Sequence, residues 1–593
     1  METTNEKWDL GDLYGGVNDP AADADLERAG RLAEDFARRY RGRIASAGGG
    51  LLSEALREYA EILALCYKPD LYAMLVFSAD TSAPENGAFL QKVTEKVSAV
   101  NVTLMFFDLE LMEMPEEGLS AAFAECPELA EYAHHIKTVR AFNPFRLSEP
   151  EERILEEKAN TGRRAFDRLF DQVLSSAVFK GCVKGEEKEM NEAQVLSLLR
   201  SPDRKIREDA AHILTKGLLE NSGVLSFIFN TLVYDKSVDD RLRGFSYPQE
   251  ARHLSNELSR ETVDMVIGIC RENYGLVSRF YKRKKELLGL KELTHIDRYA
   301  PIASAEKDIP FEEAKKTVLE AFAGFSGRFS SIAKEFFDKN WLDAGPRPGK
   351  RGGAFCAHAD PKHHPYILMN YMNRADDVMT LAHELGHGIH AVLASKQNIF
   401  DCSAALPVAE NASTFGEMLV FESLAAKASP EDKLALYAEK IESVFATVFR
   451  QCAMYIFECR LHDARRSRGE LSVEDISDIW QSCLQEMFGD SLILGEEHKY
   501  WWIYVSHFIG SPFYVYAYSF GELMVLSLYS IYRKEGPAFV EKYEKLLAGG
   551  GSKAPAELLR EAGFDISDAA FWNSGMAYIK ALIEEFEAMC GGR

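Results

Sequence analysis

The chain has 593 residues, more than one hydrophobic core usually organises, so two or three lobes are expected. Apolar residues make up 47% and charged residues 27%, an ordinary globular composition. The formal net charge of −23 argues against sequence-independent nucleic-acid binding, which needs a basic face, and reads as a solvated acidic surface.

From its start the sequence alternates helical patterns with short breaks. The leader METTNEKWDLGDLYGG has no basic region followed by an apolar one, so no signal peptide is expected. No apolar run reaches the roughly eighteen residues that cross a bilayer. Both readings point to a cytoplasmic protein without membrane contact. Ten cysteines are scattered with no C-x-x-C pair, which excludes a zinc ribbon or a dithiol motif and suggests reduced thiols.

ADLERAGRLAEDFARRYRGRI is an amphipathic helix, and a Gly-rich break at 47–50 precedes a helix at 52–67. Helices are expected at 85–113 and 118–137, and another begins near Ser148, an N-cap with Glu151 three residues on. Further helices follow at 164–179, 191–200, 203–220 and 222–240. GFSYP then breaks the pattern, and 258–288 holds one long helix or two shorter ones. Strand territory is expected only at 345–358 and 364–372, on either side of the polar turn ADPKHH. Helices resume to the end, broken by AGGGSKAP at 548–555. The fold class is mostly α, with an N-terminal helical lobe expected at 1–190 and a second domain at 191–593.

The stretch LAHELGHGIHAVL, 381–393, carries the chemistry. His383 and His387 stand four apart, so a helix stacks both imidazoles on one face where they reach a single ion. Glu384 is turned aside, close to any water that ion holds: H-E-x-x-H, two ligands and a general base. Asp376 and Asp377 offer an N-cap and a negative first turn. Val378, Leu381, Ala382, Leu385, Ile389 and Val392 mark a buried face. Gly386 and Gly388, poor helix formers, are expected where another backbone or a substrate approaches closely.

A catalytic zinc site needs a third protein ligand. Position 393 is Leu, which rules out a third His ten residues after the first. His390 lies one turn too far along and is expected to pack or to support the ligands. Glu410 and Glu417, on the following segment PVAENASTFGEMLVFESLA, are two turns apart and cannot both bind one ion. Spacing leaves either of them open. His363 and His364 are read as loop histidines, and Cys356 as a small packed thiol.

HELGHGIH followed by VAENASTFGE resembles the oligoendopeptidase F and thimet oligopeptidase family of zinc metallopeptidases. WDLGDLYGG, LSEPEERILEEKANTG, NTLVYDKSVDDRLRGFSYP and PAELLREAGFDISDAAFW are similar to oligoendopeptidase F segments as well, so the likeness spans nearly the whole chain. The resemblance implies two helical lobes, a deep central channel and a small β-sheet beside the zinc helix. It also implies one zinc ion held by His383, His387 and Glu410, leaving Glu417 to support a ligand His. In HFIGSPFYVYAYSFGELM it implies that His507 and Tyr514, with Tyr518 in reserve, face the scissile carbonyl. The expected function is metal-assisted endoproteolysis of short oligopeptides held extended by the strand at 364–372. A zinc carboxypeptidase and a non-catalytic peptide-binding protein are the alternatives.

Overall fold

A computed structural model of the chain describes residues 4–302 and 308–591. The described residues are mostly helical with two small sheets, and they cluster into two compact units of three stretches each. One unit takes Met1–Asn143, Glu306–Ala426 and Ile531–Asp565. The other takes Pro144–Ala305, Lys427–Ser530 and Ile566–Arg593. Residue 190, where the sequence reading divides the lobes, lies within the second unit at the end of a strand.

In the first unit, helices Pro20–Tyr40, Gly49–Ala79 and Pro84–Glu113 pack around Phe36, Leu56, Ile62, Leu104 and Phe107. Asp19 caps the first of these by accepting from the Ala21 amide at 2.9 Å, with Pro20 preorganised behind it. Gly49–Ala79 starts earlier and runs further than the expected 52–67, continuing through Pro69. By length and composition it is apolar enough to cross a membrane, although Lys68 and Asp70 interrupt its apolar run and half of its apolar window is buried. It is a core helix: one face fills the cluster with Leu52, Ala55 and Cys66, while Glu58 and Glu61 on the other take Arg39 and Arg28. The helix expected at 118–137 breaks at Cys126, because Pro127 cannot continue it. A 3₁₀ turn and the helix Ala133–Ala141 follow.

A three-stranded sheet in the same unit has Tyr366–Leu368 at its centre, parallel to Leu342–Asp343 and antiparallel to Phe355–Ala357. Buried Asp343 accepts from Arg347 at 2.7 Å and from Lys350 at 2.6 Å. Lys350 in turn donates to the Met369 carbonyl at 2.6 Å. These charge-assisted bonds fold the Pro- and Gly-rich run back against the sheet. Because Tyr366–Leu368 is paired on both sides, it cannot receive an extended peptide as the sequence reading expected; the edge strands are Leu342–Asp343 and Phe355–Ala357.

In the second unit the segments 203–220 and 222–240 form one helix, Arg204–Arg243, capped by Asp203 and ended by Gly244 at φ +83°. The pattern at 258–288 resolves into Arg260–Glu272 and Tyr274–Leu287. Glu151 accepts from the Ser148 amide at 2.9 Å, closing the expected capping box. A β-hairpin, Phe179–Val183 with Glu186–Met190, was not expected. Its outer strand reads EEKEM and lacks apolar alternation; the remaining signal is Lys184-Gly185, both at positive φ in a two-residue turn.

Candidate metal centre

The helix carrying the H-E-x-x-H stretch is Ala375–Ala394. Its N-cap is Arg374 rather than an aspartate: Asp377, in the first turn, accepts from the Met372 and Arg374 amides at 2.7 and 2.9 Å. Val378, Leu381, Ala382, Leu385 and Ile389 are fully buried, whereas Val392 is half-buried and Leu393 takes the core position.

The two glycines fix what lies next to it. A Cβ on Gly386 would stand 2.4 Å from the Ala412 carbonyl oxygen and 2.5 Å from Ser413 Cα; one on Gly388 would meet the Phe336 ring at 2.3 Å. Across the same crossing, a Cβ on Gly416 would reach 3.0 Å from the Ala382 carbonyl. Helix Asn411–Lys427 thus lies backbone to backbone against the histidine helix, and Tyr543 pins its start by donating to the Asn411 carbonyl at 3.0 Å. Gly386→Ala is expected to force the helices apart, costing about 1–3 kcal/mol. Thermal unfolding together with metal titration checks it, and an unchanged melting point with full metal uptake would refute the tight crossing.

This approach brings both glutamates to His383, at different nitrogens. Glu410, at the junction between the short helix Leu406–Ala409 and the longer one, places Oε2 at 3.3 Å from His383 Nε2 and 3.2 Å from His387 Nε2. The two Nε2 atoms are themselves 3.2 Å apart. Ligands at tetrahedral angles about one zinc ion are separated by about 3.4 Å, so the near-equilateral triangle fits one small divalent cation with a fourth direction open. Among the described residues, His383, His387 and Glu410 are the cluster so arranged. Glu417 Oε1 lies instead at 2.6 Å from His383 Nδ1, the bond that orients a ligand imidazole. Ser413 donates to Glu410 Oε2 at 2.8 Å, a partner the sequence reading missed although it sits three residues on. Burial opposes charge on Glu410, but its bonds to His383 and His387 outweigh that and hold it well below the usual carboxylate range. Burial likewise opposes charge on His383, and Glu410 and Glu417 hold it well above. A cation entering here displaces protons.

Glu384 is 5% exposed, and its Oε2 has no hydrogen-bond partner. Burial raises its pKa, helped by Glu410 and Glu417 and opposed by the two imidazoles. A buried carboxylate oxygen without a partner, beside a metal-ligand triangle, is arranged to accept a proton. His390 is buried, is pushed down to about 4 mainly by that burial, and hydrogen-bonds the Ala409 backbone, steadying the residue before Glu410. His363 pairs with Asp360 at 2.9 Å, and His364 stacks on Trp341 at 3.8 Å. Burial pushes the Cys356 thiol up, with the Glu384 charge adding to it.

His507, Tyr514 and Tyr518 belong to the second unit and form a cluster of their own. His507 Nε2 is 3.2 Å from the Tyr518 hydroxyl, and the ring centroids of Tyr514 and Tyr518 are 5.2 Å apart. All three are half-buried, whereas Tyr516 between them is core and accepts from Asn256 at 2.8 Å. Phe513, at φ +58°, turns the chain here; buried Glu458 accepts its amide at 2.7 Å. Burial, with the Arg450 charge, keeps His507 below its ordinary pKa and hence neutral.

Residues 197–578 match Peptidase family M3, and residues 110–179 match Oligopeptidase F. The chain is 26% identical to Oligopeptidase PepF of Bacillus subtilis (strain 168), over 98% of this chain and 87% of that one. It is 24% identical to Group B oligopeptidase PepB of Streptococcus agalactiae serotype III (strain NEM316), covering 94% and 92%. In fold it is similar to oligoendopeptidase-F from Enterococcus faecium, with a TM-score of 0.74 and 21% identity over 96% of this chain and 100% of that one.

Proposed function

Since this chain belongs to peptidase family M3 and is a metallo-oligopeptidase, we propose that its metal is one zinc ion held by His383, His387 and Glu410. A bound zinc ion supplies Lewis-acid chemistry, acidifying water and polarising a carbonyl oxygen. Glu384 takes the proton of the attacking water and returns it to the leaving amine. Glu417 holds the His383 Nδ1–H, so that Nε2 presents its lone pair to the ion. The family resemblance gives the role of oxyanion donor to His507 with Tyr514, or Tyr518 beside it, and neutral imidazole and phenol are hydrogen-bond donors at neutral pH. The substrates are internal bonds of short, unfolded oligopeptides in the cytoplasm. The catalytic region runs over 191–593, with a helical N-terminal region at 1–190.

The observation that carries this reading is the triangle of two imidazole nitrogens and one carboxylate oxygen with an unpartnered, buried Glu384 beside it. Digestion of a peptide library should yield internal cuts, including in peptides blocked at both ends, and a chelator should abolish them. Release of single C-terminal residues from unblocked peptides alone would assign a carboxypeptidase instead. Cleavage that survives complete metal removal would reject the metal centre.

A further inference from the structure

The second unit holds a concentration of positive charge, of which the reaction above draws only on the Arg450 charge beside His507. Arg298 is 6% exposed, its Nε has no hydrogen-bond partner, and its guanidinium lies 4.3 Å over the Tyr299 ring. Arg200 lies over the same ring at 5.0 Å. Arg450 donates to the Tyr299 hydroxyl at 2.6 Å, and its own Nε is buried without a partner. Lys284, fully buried, donates to the Arg298 carbonyl at 2.8 Å.

Three carboxylates bear on this group. Glu442 is already bonded to Lys284, and Glu192 acts on Tyr504 at the side. Asp297, next in sequence to Arg298, is taken by Arg204 at 3.0 Å and Arg207 at 2.8 Å. Glu442 therefore serves several cations at once, since its charge bears on Arg200 and Arg298 as well as Lys284, and among the described residues none of the three arginines makes an ion pair of its own with a carboxylate. A buried guanidinium without an anion is costly, and buried charges are ordinarily paired. Although burial and Glu442 raise the Tyr299 pKa, Arg298, Arg450 and Arg200 outweigh them and bring it down to about 8.

Local structure brings part of this group toward the surface. Arg450 follows a π-helical turn, Phe445–Phe449, a rare irregularity that concentrates at functional sites and resets the helix register just where Arg450 begins. Tyr299, Arg450 and Tyr504 are half-buried and Arg200 is exposed, so solvent reaches part of the group, whereas Arg298 is buried.

We propose that Arg200, Arg298 and Arg450, gathered around Tyr299, form a carboxylate-binding site that takes the free C-terminal carboxylate of an oligopeptide substrate. The inference rests on the oligopeptidase reading. Guanidinium groups match a carboxylate with two parallel hydrogen bonds, and stacking of Arg298 and Arg200 on the Tyr299 ring, with Arg450 bonded to its hydroxyl, limits the freedom each must lose. A peptide α-carboxyl, with an ordinary pKa of about 3.3–3.7, is ionised at neutral pH, and every short linear peptide carries one. Selection by that end favours oligopeptides over internal stretches of long chains.

The test compares two fluorescent peptides of one sequence, one a free acid and the other C-terminally amidated. Anisotropy reads their binding to the full-length Glu384→Gln protein. The acid should bind at least about tenfold more tightly. In Arg200→Gln and Arg450→Gln, both reachable by solvent and checked for folding by circular dichroism, the acid should weaken to the affinity of the amide, which itself should not change. Equal affinities in the unsubstituted site, or a preference that survives both substitutions, would overturn the proposal. Inorganic phosphate should compete with the acid and spare the amide. Phosphate binding without any acid–amide difference would make the group a site for free inorganic anions and also overturn it. If the acid is preferred but the otherwise native protein cuts neither peptide, the carboxylate site stands and the peptidase reading falls.

Discussion

Glu384→Gln should leave metal uptake intact and lower turnover of a quenched oligopeptide by roughly 10²–10⁴-fold, the range supplied by general acid–base catalysis. The substitution keeps size and shape but removes the group that receives a proton. Glu384 is nearly inaccessible, has a buried Oε2 without a partner, and has its proton affinity raised by burial, all of which suit a base; a glutamine keeps the burial but has no carboxylate to receive a proton. Metal content by elemental analysis separates loss of the ion from loss of the base. Residual activity above a few per cent, with metal bound, would remove Glu384 from the proton-transfer role.

Glu410→Ala and Glu417→Ala should differ sharply. Glu410 contributes one corner of the triangle, 3.3 and 3.2 Å from the two Nε2 atoms, so its loss should abolish stoichiometric metal and all activity with it. Glu417 touches the far nitrogen of His383, and removing such a partner costs about 10–100-fold in metal affinity or activity. Metal titration of the two variants side by side decides between them. Stoichiometric binding by Glu410→Ala together with none by Glu417→Ala would exchange their roles.

Much of the helical content was legible because it is local. Periodic apolar residues, Ser148 with Glu151, and Asp377 in a first turn act over four or five positions and form much as expected. Errors arose where a local rule was weak or overridden. The hairpin 179–190 hides because its outer strand buries little, and Gly49–Ala79 tolerates Pro69 because packing on the core outweighs one missing bond. The strand Tyr366–Leu368 was read as an open edge, since nothing in its own sequence reveals that Leu342–Asp343 and Phe355–Ala357 flank it.

By itself the sequence determined that His383, Glu384 and His387 share one turn of helix, since that follows from backbone geometry within five residues. Tertiary structure decided which glutamate completes the triangle and which steadies His383, because the outcome depends on how closely two helices cross. Gly386 and Gly416 permit that crossing, and its register appears only once both backbones are in contact. The arginines around Tyr299 are likewise drawn from three separate segments, and only folding concentrates their charge.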